Sequence, residues 1–377
     1  MRILFLNADY PSFLASLYDG QGDLALRDYA AQMEVRNASF FGTADFMSRY
    51  MLASGIDVID IHANNRPLQE AWLATRRTNL SGWIVRALCT YGPERLQQRF
   101  VAFDRRQPRF GTILAAQIAA FRPTVLYNHD PGGISADWLR SVLPVDCALV
   151  AQIASPRDPS VNWHAYDLVI SSLPNFVAAF RSEGVAAEYM PLAFEPSVLQ
   201  GIGQIARDVP LSFVGSISPA HGERLRFLET IAAQSGVAIW GDGAERLAPD
   251  SPLLARHHGA VWGAEMFRVL ARSQVTLNKH IDISEGYANN MRLFEATGTG
   301  ACLLTDWKEN LHELFEPGKE VLAYRSVEEC LDLVRYYTAH PAERDAIARA
   351  GQERCLRDHN YERRMAELAA LLKQRFD

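Results

Sequence analysis

Lysine is nearly missing from this sequence. Only four of the 38 basic residues in the 377-residue chain are lysines, and the first 278 residues contain none. Arginine therefore carries most of the positive charge, and its abundance alone says little about function. The formal net charge of -6 argues against a general nucleic-acid binder, which carries a basic surface. We therefore expect small molecules as partners and no nucleic acid.

Long apolar runs are also missing. Asn7 and Asp9 interrupt the opening run "MRILFL" too early for the core of a signal peptide. No run approaches the roughly 18 apolar residues that a membrane span requires. The five cysteines are scattered, odd in number and without a CxxC pair, a pattern typical of reduced thiols. These features predict a cytoplasmic chain with no transmembrane segment.

Short β-rich runs alternate with longer helical patterns along the whole chain, which predicts an α/β protein with parallel sheets. The predicted strands are "RILFLN", "DVIDI", "TVLYN", "CALVAQI", "DLVISS", "AEYM", "LSFVG", "VAIWG", "VTLNK", "ACLLTD" and "VLAY". Both halves open with a buried strand that runs into a polar loop ending in proline. We therefore expect two Rossmann-like domains that face each other across a cleft, with ligands at the carboxyl ends of the strands.

The domain boundaries follow from a segment bounded by prolines at about 191–210, which we interpret as the linker. The predicted domains are 1–195, with a helical insertion at about 64–120, and 209–377. The final segment "YERRMAELAALLKQRF" has helical apolar spacing, and this helix is a candidate to cross back to the first domain.

Residues 66–109 carry nine arginines and three acids. A solvated helical insertion is one interpretation. A surface for an anionic or lipid-linked acceptor, with peripheral membrane contact, is a second, and an interface with a protein partner is a third.

The stretch "NNMRLFEATGTGACLLTD" predicts a nucleotide site. Asn290 is positioned as the N-cap of a helix, whose free N–H groups and dipole bind phosphate. The dipole contributes roughly 0.3 to 2 kcal/mol. Glu295 lies about one turn further along, where a carboxylate can accept two ribose hydroxyls. The Gly-Thr-Gly at 298–300 ends the helix and lets the next strand return close by.

This stretch, followed by "WKENLHELFEPGKEVLAY" and "AERDAIARAGQERCLRDHNYERR", resembles the C-terminal region of GT-B glycosyltransferases, in particular the CgeB-like spore-maturation group. The resemblance runs from "LSFVGS" to the end of the chain and extends more weakly into the first half. It implies a nucleotide-diphosphate sugar as donor substrate, bound by the second domain, and an acceptor bound by the first. The acceptor could be a glycan, a protein or a small molecule.

The resemblance also implies roles for single residues. Glu295 matches the ribose-binding glutamate of the family. The E-x7-E pattern of many retaining members would place a glutamate at 287, where this chain has Tyr287, so retention or inversion stays open. The other donor-binding candidates are Asn289, Asn290, Arg292, Ser216 and Tyr287 itself.

In many GT-B enzymes an Arg and a Lys neutralise the leaving diphosphate. The loop "GSISPAHGERLR" offers Arg224 but no lysine, and Lys279 follows the strand "VTLN". We predict that Arg224 and Lys279 share this role. The alternative for Lys279 is a solvated strand end.

Three candidates for acid–base work follow strands of the first half. His129 and Asp130, in "YNHDPGG", resemble a loop whose histidine faces the donor sugar, and such a histidine could take a proton from an acceptor hydroxyl. A His-Asp pair that stabilises the turn is the alternative. Asp9 is a second candidate base, with helix capping as its alternative.

We predict a transfer that needs no metal or other cofactor. Glycosyltransferases of the other common fold hold a metal with an Asp-x-Asp pair, and the sequence contains none. His257 and His258 adjoin each other without a further ligand at useful spacing. Two other functions stay open: a sugar-nucleotide epimerase, and an inactive protein that binds nucleotide sugars.

Overall fold

A computed structural model describes residues 1–75, 111–217 and 222–377. The chain forms two compact units. The first comprises Met1–Ser171, Phe176–Tyr189 and Met365–Asp377, and the second comprises Ser172–Asn175 and Met190–Arg364. Each unit is built on its own parallel sheet, with helices between successive strands.

The sheet of the first unit has the strand order β2-β1-β3-β4-β5-β6, and all neighbouring strands are parallel. Its strands are β1 (Arg2–Asn7), β2 (Asp57–His62), β3 (Val125–Asn128), β4 (Ala148–Ile153), β5 (Leu168–Ser171) and β6 (Ala187–Tyr189). The helices before β6 are α1 (Pro11–Asp19), α2 (Tyr29–Ala38), α3 (Phe46–Ala53), α4 (Arg66–Thr75), α5 (Gly111–Phe121), α6 (Ala136–Val142) and α7 (Pro174–Ser182).

The sheet of the second unit has the order β11-β10-β9-β7-β8, again all parallel. Its strands are β7 (Val209–Val214), β8 (Ala238–Trp240), β9 (Ser273–Leu277), β10 (Cys302–Asp306) and β11 (Leu322–Tyr324). The remaining helices are α8 (Ser197–Ile202), α9 (Gly222–Gln234), α10 (Gly263–Arg272), α11 (Met291–Gly298), α12 (Leu311–Leu314), α13 (Val327–Ala339), α14 (Pro341–Asp358) and α15 (Tyr361–Phe376).

Both sheets are buried on two faces, which explains why their strands read as continuous apolar runs. In the first unit Leu6, Leu126 and Phe180 belong to one core, and none of them is exposed. In the second unit Ile239 and Leu304 are fully buried in a separate core. Two independent cores of this size explain the division of the chain into two units.

The predicted α/β class is confirmed, and every segment that the sequence predicts as a strand is a strand. The predicted last helix is α15. Most of it belongs to the first unit, where Arg375 pairs with Glu188. The predicted helical insertion is described only at its two ends, by α4 and α5, and most of the arginine-rich segment lies outside the described residues.

Candidate functional site

Asn290 fixes the start of α11 at the carboxyl end of the second sheet. Its side-chain oxygen accepts from the Leu293 N–H at 3.2 Å, so the predicted N-cap is confirmed. Its amide nitrogen donates to Asn278, directly after β9, at 2.8 Å. Asn278 in turn donates to Thr305 of β10 and accepts from the Tyr324 hydroxyl through its backbone carbonyl. The helix start is therefore tied to the ends of three neighbouring strands.

Glu295 lies one turn into α11 and is 6 % exposed. Its Oε2 pairs with Arg292 Nη1 at 2.7 Å, and Arg292 Nε donates to the Val214 carbonyl at the end of β7. Burial raises the pKa of Glu295, and Arg292 acts in the opposite direction. The ion pair holds a carboxylate at the carboxyl edge of the sheet, as expected for a group that binds ribose hydroxyls.

Asp306 gathers two lysines at the end of β10. Lys279 Nζ lies 3.5 Å and Lys308 Nζ 3.8 Å from the same carboxylate oxygen. The other carboxylate oxygen accepts from His280 through its ring Nδ1 and its backbone N–H. These contacts outweigh burial and hold the pKa of Asp306 well below its usual range. Two cations therefore flank one buried anion, and the carboxylate of Asp282 also acts on Lys308.

Lys279 is therefore no solvated strand end, since its side chain is 26 % exposed. Lys308 is buried further, with a side chain 14 % exposed. Burial lowers the pKa of Lys308, and the nearby Lys279 contributes in the same direction. The carboxylates of Asp306 and Asp282 act on the pKa of Lys308 in the opposite direction.

Arg224 lies in the first turn of α9, and its Nη2 donates to the Ser216 carbonyl at 2.7 Å. Ser216 is exposed and lies just after β7. Burial lowers the pKa of Arg224, and the carboxylate of Asp282 opposes this effect. Arg224 and Ser216 thus follow the same strand as the sequence predicts, while residues 218–221 between them lie outside the described chain.

Two glycines after β8 let this strand end approach the loop that follows β7. A Cβ at Gly241 would overlap the Gly215 carbonyl, and one at Gly243 would overlap the Ile217 carbonyl. Gly243 also has a φ of +100°, which favours glycine. The sequence pattern gave no reason to select these glycines.

The remaining donor-binding candidates lie in the loop between β9 and α11. Asn289 and Tyr287 are half-buried, and the Tyr287 N–H bonds the Ser284 carbonyl. Of the two neighbouring histidines, His257 bonds the Gly241 carbonyl and His258 stacks on Trp240 with ring centroids 4.8 Å apart. Across the described residues no group of three His, Cys, Asp or Glu side chains could hold a metal ion.

His129 of the first unit follows β3 and bonds Asn7 rather than Asp130. The distance from its Nδ1 to Asn7 Oδ1 is 2.6 Å. Its Nε2 is buried, and the neighbouring Gln152 side chain, which accepts from the Tyr127 hydroxyl, acts to raise the pKa of the ring. Burial lowers the pKa of His129 to about 4, so the ring is neutral near pH 7 and can accept a hydrogen bond.

Asp130 closes the turn that follows His129. Its Oδ1 accepts from the Gly133 N–H at 3.0 Å, and a Cβ at residue 133 would overlap its carboxylate. Burial raises the pKa of Asp130. This geometry favours a role in the turn over a role in proton transfer.

Asp9 is 3 % exposed and pairs with Arg36 at 2.6 Å and with His62 at 3.3 Å. Burial acts to raise its pKa, but His62 and Arg36 together hold it well below the usual range. A carboxylate so strongly held in its ionised form is a poor proton acceptor. Helix capping is not its role either, because α1 begins two residues later with Tyr10 as N-cap.

The chain is similar to known proteins in part of its sequence and in its fold. Residues 224–370 match the model of a family described as glycosyl transferase-like. The structure is similar to sucrose-phosphate synthase from Thermosynechococcus elongatus (TM-score 0.58, 15 % identity, 99 % of each chain covered). It is similar to Anabaena HepE in complex with UDP-glucose (0.56, 12 %, 99 % of this chain and 100 % of HepE). It is also similar to AviGT4, a glycosyltransferase of avilamycin A biosynthesis (0.59, 14 %, 100 % and 98 %).

No curated protein matches the sequence. The structural similarities show that the chain has the GT-B fold, as the sequence predicts. Within the described residues, every helix is too short or too polar to cross a membrane.

Sequence reasoning missed Lys308, Asp306, Asn278 and His280. One signal could have found them. "NKH" ends one predicted strand and "TDWK" ends the next, and the carboxyl ends of adjacent parallel strands meet at one edge of a sheet.

Proposed function

We propose that this protein is a glycosyltransferase that moves a sugar from a nucleotide-diphosphate sugar to an acceptor hydroxyl. The observation that carries the proposal is the combination of the Asn290-capped helix start with Lys279 and Lys308 at the ends of β9 and β10. Helix N–H groups, a helix dipole and two cations together favour a diphosphate. Glu295, one turn away, supplies the acceptor for ribose hydroxyls.

The reaction breaks the bond between the anomeric carbon and the diphosphate oxygen, and the electron pair leaves with the diphosphate. Negative charge therefore grows on that group in the transition state, where fixed cations stabilise it most. We assign this role to Lys279 and Lys308, with Arg224 as a third cation. These three cations are part of the protein, so we propose that the transfer does not need a divalent metal ion from solution.

The acceptor hydroxyl forms the new bond and loses its proton. We propose His129 for this side of the reaction, as the group that takes the proton or orients the sugar through its Nε2. His129 is favoured over Asp9 on this side of the reaction because the Asp9 carboxylate is already paired with Arg36 and His62.

Finer assignments rest on similarity. Uridine nucleotides are our first choice of donor, because HepE was solved with UDP-glucose. A hexosyl donor and membership of the CgeB-like group follow from the resemblance of the segment around "NNMRLFEATGTG". The acceptor we propose is a glycan, a protein or a small molecule bound by the first unit. An epimerase is less well supported, since residues 224–370 match a transferase-like family.

The test incubates the purified chain with a panel of nucleotide sugars and follows release of nucleoside diphosphate, with and without a panel of acceptors. We expect release from at least one donor that rises when a suitable acceptor is added. Conversion of the donor to its epimer without release would favour the epimerase. A chain that raises its melting temperature with nucleotide sugars but turns over none of them would be an inactive binding protein.

A further inference from the structure

Asp60, Asn7 and His129 lie on one face of the first sheet. Phe5 of β1 pairs with Asp60 of β2, and Asn7 pairs with His62 two positions further. Side chains alternate between the two faces of a strand, so Asp60 and Asn7 point to the same side. His129, directly beyond β3, completes the row beside Asn7.

The three side chains form a hydrogen-bonded chain. Asn7 Nδ2 donates to Asp60 Oδ1 at 3.4 Å, and Asn7 Oδ1 lies 2.6 Å from His129 Nδ1. An amide nitrogen can only donate and an amide oxygen can only accept. Since the nitrogen of Asn7 faces a carboxyl group, its oxygen faces the imidazole. The nitrogen of His129 on this side must then carry the proton.

Asp60 is itself held in place. The Ser48 hydroxyl donates to Asp60 Oδ2, which directs Oδ1 towards Asn7. Burial raises the pKa of Asp60, but either protonation state leaves an oxygen that can accept from the amide. The ring of His129 is also packed, against Phe5 at 5.9 Å and Tyr127 at 4.9 Å between ring centroids.

We propose that Asp60 is a positioning residue that acts through Asn7 to hold His129 in its Nδ1–H tautomer, with Nε2 left as the unprotonated nitrogen for substrate. The tautomer that a histidine adopts is set by the hydrogen bond of its other nitrogen, which here is the bond to Asn7. The use of Nε2 by substrate rests on the proposed function. The tautomer itself does not, so the two can fail separately.

The experiment measures imidazole ¹⁵N resonances of the full chain labelled at histidine, at pH 7.5, with His129→Gln to assign the signals. We expect a protonated, pyrrole-type Nδ1 and a bare, pyridine-type Nε2 in the parent protein. Asn7→Leu and Asp60→Leu should each lose this single pattern. Asp60→Asn should retain it, because an amide oxygen replaces the carboxylate oxygen as acceptor.

Asn128→Leu is the matched control. Asn128 is a fully buried asparagine at the end of β3, and its side chain donates to the Tyr166 hydroxyl and accepts from the Asp130 N–H, without a bond to the His129 ring. Its removal should leave the tautomer unchanged. If Asn7→Leu fails to fold, the comparison of Asp60→Leu with Asp60→Asn carries the test.

A parent protein with a protonated Nε2, or a tautomer that survives in Asp60→Leu, would overturn the proposal. In the release assay, Asp60→Leu should lower kcat by roughly 10- to 10⁴-fold, the range for acid–base groups, with the donor KM unchanged. A kcat loss of equal size in Asp60→Asn would contradict the proposal that Asp60 acts through Asn7 on His129. If no donor is turned over at all, the proposed function fails while the tautomer result stands.

Discussion

Arg292 and Glu295 form an ion pair across one turn of α11, with 2.7 Å between Nη1 and Oε2 and side chains only 14 % and 9 % exposed. Arg292 is anchored in addition by the Val214 carbonyl at the end of β7. The pair therefore fixes a carboxylate relative to both the helix start and the sheet. A buried carboxylate with a single ionic partner keeps capacity to accept further hydrogen bonds.

We predict that Glu295→Gln weakens nucleotide binding by roughly 1.5 to 3 kcal/mol, the scale for hydrogen bonds to charged groups. Glutamine keeps the size of the side chain and a polar contact to Arg292, so the fold should tolerate it better than alanine. Isothermal titration with a nucleoside diphosphate measures the loss. Glu229→Gln is the control, because Glu229 is a half-buried glutamate of the same unit whose carboxylate accepts from the Ser251 hydroxyl. Equal affinity in Glu295→Gln and the parent would remove Glu295 from the site.

We predict that Lys279→Met and Lys308→Met each weaken binding of a nucleoside diphosphate by roughly 1.5 to 3 kcal/mol and leave binding of the free nucleoside almost unchanged. The reason is that both ammonium groups lie near Asp306 in the proposed diphosphate site. They would contact the diphosphate and not the nucleoside. Lys319→Met is the control, since this side chain of the same unit is 72 % exposed and pairs with Glu316. A loss that is as large for the nucleoside as for its diphosphate would show that the lysines do not recognise phosphate.

We predict that donor turnover survives exhaustive chelation. In the proposed site, Lys279, Lys308 and Arg224 take the place of a metal in neutralising the leaving diphosphate. The measurement is nucleoside diphosphate release after treatment with EDTA, with an added-back excess of Mg²⁺ as the comparison. Activity that disappears on chelation and returns with Mg²⁺ or Mn²⁺ would contradict this view of the leaving group.

We predict that His359 lowers the stability of the protein on mild acidification. His359 is 6 % exposed, its Nε2 lies 2.7 Å from the Leu314 carbonyl, and burial lowers its pKa from 6.5 to about 4. Between these two pH values the unfolded chain binds more protons than the folded chain. The free energy of unfolding therefore falls as pH falls through this window, by about 1.4 kcal/mol per pH unit for one such group.

The measurement compares the parent with His359→Gln in urea unfolding at several pH values from 7.5 to 4.5. Glutamine keeps a donor for Leu314 but does not titrate, so the parent should lose stability relative to the variant as pH falls. His129 titrates in the same direction, but it is present in both proteins and cancels. Parallel pH profiles of the two proteins would exclude a neutral buried His359.

The sequence predicted the elements of this fold better than their contacts. Strands such as "RILFLN" and the Asn290 cap depend on local patterns, and both were found. The roles of Asp9 and Lys308 depend on partners that are distant in the sequence. Asp9 pairs with Arg36, which is 27 positions away in the sequence. No spacing rule predicts that pairing, and the sequence therefore suggested a catalytic base where the structure has a buried ion pair.

The role of Lys279 also could not be predicted from the sequence. The sequence placed it at a strand end, where a solvated lysine and a phosphate-binding lysine are indistinguishable. Only the parallel pairing of β9 with β10 brings it to Asp306 and beside Lys308. The strand order would have predicted this contact, but the spacing of apolar residues does not predict the strand order.

The most direct test of the account is a crystal structure of the chain with the nucleoside diphosphate that the donor panel selects, beginning with UDP. We predict the diphosphate at the N–H groups that open α11, within reach of Lys279 and Lys308, and the ribose hydroxyls on Glu295. A nucleotide bound elsewhere, with its diphosphate away from the start of α11, would contradict the central claim.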